Sequence, residues 1–228
     1  LLGARLVTVE AVGVLHDELT PAHQAKARPA LVAELGLDLV QVARQLLVAA
    51  QFAARKRTVM LDGVPDTGFF ASDFTLAEIK QLRAVQPLPE RGTAFDGQFQ
   101  IPTLVEVIEF VKRKSAEKGR RIGIYPETKH PTYHQSIGLP LEDRLLTILS
   151  RAGWNHRGAP VFIQSFETAN LRYLRTRTEL PLIQLVDADD INPDGSISLV
   201  KPFDKPYDWV VSGRSGLFSD LLTPAGLA

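Results

Sequence analysis

Pro160-Val-Phe-Ile-Gln-Ser165 and Pro181-Leu-Ile-Gln-Leu-Val186 are the two segments that decide the fold. Both are short and nearly all apolar, which is typical of strands that are buried on both faces of a parallel sheet. Arg121-Ile-Gly-Ile-Tyr125 has the same character and runs directly into Pro126 and Glu127. The sequence therefore predicts at least three successive buried strands.

Amphipathic helices are expected between these strands. Thr103 and Glu106 have the spacing of a capping box, and apolar residues follow them at helical intervals. Two further helices are predicted over about 140 to 151 and about 167 to 176. This alternation fits an open doubly wound sheet as well as a closed eight-stranded barrel. No glycine-rich nucleotide-binding signature follows any strand, which favours the barrel.

The composition excludes several classes of function. Lys plus Arg and Asp plus Glu both number 26, so the net charge is zero and nothing indicates nucleic acid as the partner. The sequence has no apolar run of about 18 residues, so no membrane span is predicted. Because there is no Cys, disulfides, thiolate metal sites and a Cys nucleophile are excluded.

The chain is interpreted as a single domain over residues 1–228, with two irregular segments. Residues 52 to 100 are loop-rich and form either an excursion packed on the surface or a lid that faces the substrate. Within them Thr75-Leu-Ala-Glu78 is a second capping box, which predicts a helix to about residue 84. Residues 190 to 216 are expected to be a long loop. Residues 1 to 51 give no clear assignment.

Tyr125-Pro-Glu-Thr-Lys-His-Pro131 is the segment most informative about chemistry. It stands at the carboxyl end of a predicted strand, where parallel barrels carry their catalytic groups. The carboxylate of Glu127 can bind a hard divalent cation, and the ammonium of Lys129 can bind a phosphate. A Glu–Lys salt bridge in a polar loop is the alternative interpretation of the same residues.

Several separated motifs occur in order and at suitable spacing: Asp62-Gly-Val-Pro65, Asp73-Phe-Thr-Leu-Ala-Glu-Ile-Lys80, Ile101-Pro-Thr-Leu-Val-Glu-Val-Ile108, Ile124-Tyr-Pro-Glu-Thr-Lys-His-Pro131, Phe162-Ile-Gln-Ser-Phe166 and Ile183-Gln-Leu-Val-Asp187. Together they resemble the successive segments of glycerophosphodiester phosphodiesterases of the periplasmic bacterial type. The resemblance covers about residues 52 to 228. It implies an α/β fold of the TIM-type (β/α)8 barrel class.

The resemblance also implies an activity, a cofactor and site residues. The activity is metal-dependent hydrolysis of a small-molecule glycerophosphodiester to glycerol 3-phosphate and an alcohol, with Ca²⁺ or Mg²⁺ as the metal. Glu127 matches a metal ligand of the family, and Lys129 matches its phosphate-contacting lysine, a catalytic and substrate-binding residue. His130 follows Lys129 directly, so we expect it to line the substrate site. The family implies a periplasmic or secreted protein.

One further catalytic residue depends on how the N-terminal part is matched. Gly13-Val-Leu-His-Asp-Glu-Leu-Thr20 resembles the family segment that carries one of two acid–base histidines, which makes His16 the candidate; a solvated loop histidine is the alternative. A competing match uses residues 21 to 40 and places Gln41 and Ala43 at carboxylate positions of the metal site. The protein would then be an inactive barrel that binds a phosphodiester or a protein partner.

A third interpretation of residues 1 to 51 is that they do not represent the native sequence, for instance through a frameshift. Since the family continues past the segment that matches residues 222 to 228, we expect the barrel to be incomplete in this chain. Asn155-His-Arg-Gly-Ala159 contains the family's His-Arg-Gly letters, but it precedes a strand, so we expect it on the non-catalytic face.

Overall fold

A computed structural model describes residues 9–10, 50–86, 92–187, 190–191, 193–194 and 196–224. Its strands are β1 (Val9–Glu10), β2 (Arg57–Leu61), β3 (Val64–Gly68), β4 (Pro126–Glu127), β5 (Ile163–Ser165), β6 (Leu182–Gln184), β7 (Asp190–Ile191) and β8 (Ile197–Ser198). Its α-helices are α1 (Leu76–Ile79), α2 (Leu104–Glu117), α3 (Pro131–Ser136), α4 (Glu142–Arg151), α5 (Thr168–Arg175) and α6 (Tyr207–Ser212), and short 3₁₀ helices cover Ala50–Arg55, Ala71–Asp73 and Phe218–Leu222.

A parallel sheet of four strands, in the order β1-β4-β5-β6, forms the centre of the molecule. Glu127 of β4 is in register with Gln164 of β5, and Gln164 is in register with Ile183 of β6. The expected alternation of strands and helices is confirmed, so the fold is α/β. Over the residues that the structure describes, the sheet is open rather than closed into a ring.

The predicted helices begin where their capping signals stand. Thr103 and Glu106 form both arms of the capping box at the start of α2, and Thr75 and Glu78 do the same at α1. Helix α1 ends at Ile79, earlier than the periodicity predicted. The structure therefore confirms the starts of these helices, which depend on hydrogen bonds between residues three apart.

The first predicted strand is shorter than expected. Before β4, the pairing of this segment with the one that leads into β5 is an isolated bridge of Ile124 with Val161. At Gly123 a Cβ atom would lie 2.7 Å from the carbonyl oxygen of Pro160. The two backbones approach so closely here that only glycine fits without displacement.

The segment predicted to be loop-rich contains a β-hairpin. Strands β2 and β3 pair antiparallel, from Arg57 opposite Gly68 to Leu61 opposite Val64. The two turn residues, Asp62 and Gly63, have φ angles of 50° and 77°. Positive φ at both positions is what a two-residue hairpin turn requires, because it matches the twist of the strands.

The C-terminal segment is also more ordered than a long loop. Strands β7 and β8 pair antiparallel, and helix α6 follows. Trp209, Phe218 and Leu221 form a small buried cluster beside the main core. Across the described residues, none of the helices is both long enough and apolar enough to cross a bilayer.

Candidate functional site

A cleft of about 350 Å³ opens at the carboxyl ends of β4 and β5. The loops that follow these strands supply much of its wall, which is where ligands bind in parallel α/β sheets. Asp187 after β6, the hairpin turn and the C-terminal segment supply the rest. Its lining residues are Asp62, Glu127, Thr128, Lys129, His130, Phe166, Glu167, Asp187, Phe203, Lys205, Tyr207 and Phe218.

The loop after β4 is fixed by hydrogen bonds to its neighbours at Thr128. Its backbone N–H donates to the carbonyl oxygen of Gln164 at 3.0 Å, and its hydroxyl donates to Oδ1 of Asn170 at 2.7 Å. The hydroxyl of Ser165 in turn donates to the carbonyl oxygen of Thr128 at 2.9 Å. Because Thr128 is buried and held on three sides, Glu127 and Lys129 emerge in defined positions.

Glu127 carries an unsatisfied acceptor at this cleft. Its side chain is only 7% exposed, and within the described ranges no group donates a hydrogen bond to Oε1. Burial raises the pKa of Glu127, and the charge of Lys129 partly opposes that rise. A buried carboxylate oxygen without a donor is costly unless a cation or a proton reaches it. The site therefore fits a bound cation chemically.

His130 occupies an unusual backbone position beside the cleft. Its φ of 47° lies in the left-handed region, and it stands immediately before helix α3. This conformation places Nε2 at 3.6 Å from Oδ2 of Asp62 and the ring edge-on to Tyr207, with centroids 5.4 Å apart. Asp62 belongs to the hairpin turn, so the excursion between β1 and β4 contributes a wall of the cleft.

Glu167, which the sequence reasoning did not select, is the most buried carboxylate of the cleft wall. It is 2% exposed, and its Oε2 accepts a 3.0 Å hydrogen bond from the backbone N–H of Thr132. Among the described residues, none donates to Oε1. Burial raises the pKa of Glu167 to about 8, the Thr132 bond opposes this, and Asp208 and Asp62 raise the pKa further. Its position directly after a predicted strand is the sequence signal that could have identified Glu167 as a site residue.

Helix α5, which follows Glu167, is anchored by Asp208 of α6. Oδ2 of Asp208 accepts hydrogen bonds of 2.8 Å from the hydroxyl of Thr168 and from the backbone N–H of Ala169. The indole N–H of Trp209 donates to the same hydroxyl at 2.9 Å. A carboxylate that caps a helix N-terminus in this way stabilises the helix and fixes the loop before it.

The residues singled out from the sequence are partly brought together. Glu127, Lys129 and His130 all line the cleft. His16 lies outside the described residues, as do Gln41 and Ala43 of the competing match.

The His-Arg-Gly segment stands apart from the cleft. Asn155 accepts a hydrogen bond from the hydroxyl of Thr178 at 2.6 Å, and Gly158 accepts one from Arg121. These contacts join the connections that precede β4, β5 and β6, and none of the four residues lines the cleft. The expectation that this segment lies away from the carboxyl ends of the strands is confirmed.

The cleft at the strand ends combines the buried carboxylates of Glu127 and Glu167 with Lys129 and His130, and the class of the protein is given by comparison with known families. The model of the glycerophosphoryl diester phosphodiesterase family matches residues 14–221. The chain belongs to this family. Its members share a TIM-barrel-like fold, with which the parallel sheet is compatible.

Curated relatives agree with this assignment. The chain is 34% identical over 179 residues to the glycerophosphodiester phosphodiesterase GDPD6 of Arabidopsis thaliana, covering 67% of this chain and 46% of the relative. It is 28% identical over 160 residues to the glycerophosphodiester phosphodiesterase of Haemophilus influenzae, covering 63% of this chain and 42% of the relative. The chain is 29% identical over 149 residues to the glycerophosphodiester phosphodiesterase of Treponema pallidum, covering 60% of this chain and 40% of the relative. The chain thus spans less than half of each relative.

Proposed function

We propose that this chain carries out metal-dependent hydrolysis of glycerophosphodiesters to glycerol 3-phosphate and an alcohol. The observation that carries the proposal is the unsatisfied Oε1 of Glu127, which is buried beside Lys129 in a cleft at the carboxyl ends of parallel strands. The names of the relatives support the substrate class.

Glu127 would hold the divalent cation, Ca²⁺ or Mg²⁺, because hard cations prefer carboxylate oxygens. Such a cation, when bound, would offset the negative charge that develops on the phosphate. Within the described ranges no three His, Asp or Glu side chains are grouped so that they could hold a metal ion. Glu127 alone is therefore assigned as a metal ligand.

Lys129 and His130 would position the phosphate. The ammonium of Lys129 is a compact positive charge and suits a phosphate oxygen, while His130 presents a ring nitrogen at the same cleft. The substrate's own glycerol hydroxyl would attack phosphorus, giving up its proton to a base, and the leaving alcohol would gain a proton from an acid. Water would then open the cyclic phosphate. We assign acid–base work to His16, which lies outside the described residues.

The decisive experiment is release of glycerol 3-phosphate from glycerophosphocholine with added Ca²⁺ or Mg²⁺, and again after chelation. We expect turnover that requires the metal and falls by at least about 10³-fold in Glu127→Gln. Glu142→Gln is the control, since Glu142 is also buried but lies outside the cleft lining, where it accepts hydrogen bonds from Gln135 and Asn170. Binding of the substrate by a folded chain without turnover would instead favour a non-catalytic phosphodiester-binding barrel.

We also propose an overall fold for this chain and a location for the protein. We propose that the four-stranded sheet is part of a (β/α)8 barrel, with the cleft at its C-terminal mouth. We also propose a periplasmic or secreted location, following the resemblance to the periplasmic bacterial type. Detection of the protein in the cytoplasmic fraction of its source cells would contradict that location.

A further inference from the structure

Glu167 has no role in the chemistry proposed above, although it is the most buried carboxylate at the cleft. Its Oε2 is satisfied by Thr132, but Oε1 has no hydrogen-bond donor among the described residues. Glu127, held by its own loop after β4, already provides the carboxylate proposed for the metal. A second buried carboxylate with an unused acceptor can accept a cation or a proton there, because burying it charged and unpaired costs several kcal/mol.

Basic side chains, Lys129 and Lys205, line the cleft together with acidic ones. Lys129 acts on Glu127, whereas the charged groups that act on Glu167 are the carboxylates of Asp62 and Asp208. The surroundings of Lys129 therefore suit a phosphate. The surroundings of Glu167 suit a positive charge, because a cation there would relieve repulsion between carboxylates as well as the cost of burial.

Aromatic side chains line the same cleft as Glu167. Phe166 and Phe218 contact each other edge to face, with ring centroids 6.1 Å apart. Tyr207 contacts the His130 ring edge to face, and burial, followed by the charges of Asp62 and Glu167, raises the pKa of Tyr207. Phe203 is 47% exposed and lies at the surface of the cleft. Aromatic faces beside a carboxylate are the surroundings in which amines and quaternary ammonium groups bind.

From this arrangement we propose that the cleft selects glycerophosphodiesters whose alcohol carries a positively charged amine, which binds against Glu167 and the aromatic walls. This inference rests on the proposed function and names the substrate class for the same site. The cleft volume of about 350 Å³ is adequate for a ligand of this size. The phosphate lies near Lys129 and the amine near Glu167, so the ligand binds in one orientation.

The test is calorimetric binding of three ligands at pH 8: glycerophosphocholine, glycerophosphoethanolamine and glycerophosphoglycerol. We expect wild-type chain to bind the two amine ligands about tenfold more tightly than glycerophosphoglycerol. In Glu167→Gln this preference falls to about threefold or less, while Glu142→Gln retains it. Glutamine keeps an acceptor for the Thr132 N–H, and thermal unfolding of each variant shows whether it is folded.

Phe203→Leu is a second variant, and because Phe203 is exposed its replacement does not disturb the core. We expect it to weaken glycerophosphocholine about threefold and glycerophosphoglycerol less. Tighter binding of the primary amine would assign the main contact to N–H donation to Oε1 of Glu167. Tighter binding of the quaternary amine would assign it to the aromatic walls. Either result supports a site for a positively charged amine.

Other outcomes separate this inference from the proposed function. Equal affinity for the three ligands, or a preference unchanged in Glu167→Gln, would overturn amine selection. Turnover of glycerophosphoglycerol alongside either result would leave the hydrolase proposal intact. Amine-selective binding without turnover would support the inference and overturn hydrolysis, and no binding of any ligand by a folded chain would overturn both.

Discussion

The backbone N–H of Thr132 donates a 3.0 Å hydrogen bond to Oε2 of Glu167. This bond joins the first turn of helix α3, which follows the loop after β4, to the loop after β5, across 35 residues of sequence. It sets the position of Glu167 relative to Lys129 and His130 on the neighbouring loop. The two sides of the cleft are therefore coupled by a direct contact and not only by the sheet beneath them.

In the metal-free chain, the contribution of Glu167 to stability should decline as the pH rises. Its folded-state pKa of about 8 lies above the ordinary value of 4.5, so the folded protein retains a proton that the unfolded chain releases. The contribution is complete below about pH 4.5 and is lost as the pH rises through about 8. In chelator, Glu167→Gln should show a smaller decline between pH 5 and pH 8, by up to about 4 kcal/mol in urea unfolding. Parallel curves for the two proteins would contradict this.

His134 should have the opposite effect on the acid side. Burial, with smaller contributions from His130 and Arg144, lowers its pKa to about 4, so the unfolded chain binds the extra proton between pH 6.5 and pH 4. The stability that neutral His134 contributes is complete above about 6.5 and is lost as the pH falls through about 4. We expect His134→Leu to lose less stability than wild type between pH 7 and pH 4.5, by up to about 3 kcal/mol. Urea midpoints at the two pH values measure the difference.

Gly123→Ala should destabilise the chain by about 1–3 kcal/mol, because its methyl group would meet the Pro160 carbonyl oxygen at 2.7 Å. The obstacle is backbone of the segment that leads into β5 and cannot move aside cheaply. Gly158→Ala is the matched control, since its nearest neighbour is the His156 side chain at 3.5 Å. Thermal unfolding should rank Gly123→Ala clearly below Gly158→Ala, and equal values would argue against the close approach.

Lys129→Met should lower kcat/KM for glycerophosphodiesters by about 10²-fold, because methionine retains the length of the side chain but removes its charge from the phosphate. The exposed Lys118, at the end of α2, provides a control in Lys118→Met. Steady-state kinetics with both variants would test the assignment. A loss of equal size in the two variants would point to net charge rather than to a phosphate contact.

Much of the fold could be predicted because its signals are local. The capping boxes at Thr103 and Thr75 act between residues three apart, and the apolar strands that become β5 and β6 are recognisable by themselves. The hairpin at Asp62 and Gly63 was missed although the Asp-Gly pair is a known turn signal. Aromatic and loop-forming residues around it drew the interpretation toward irregular structure.

The sequence by itself determined the class of the fold, the family and the segment that carries Glu127, Lys129 and His130, because motif order and strand character are written in contiguous residues. Only the tertiary structure decided which distant groups join them. Asp62 comes from a hairpin turn and Glu167 from the next parallel strand end, and both reach the same cleft. The pKa of Glu167 depends on burial and on Asp208 and Asp62, neither of which is near it in sequence. Burial and charge are properties of the packed chain, so no local pattern could supply them.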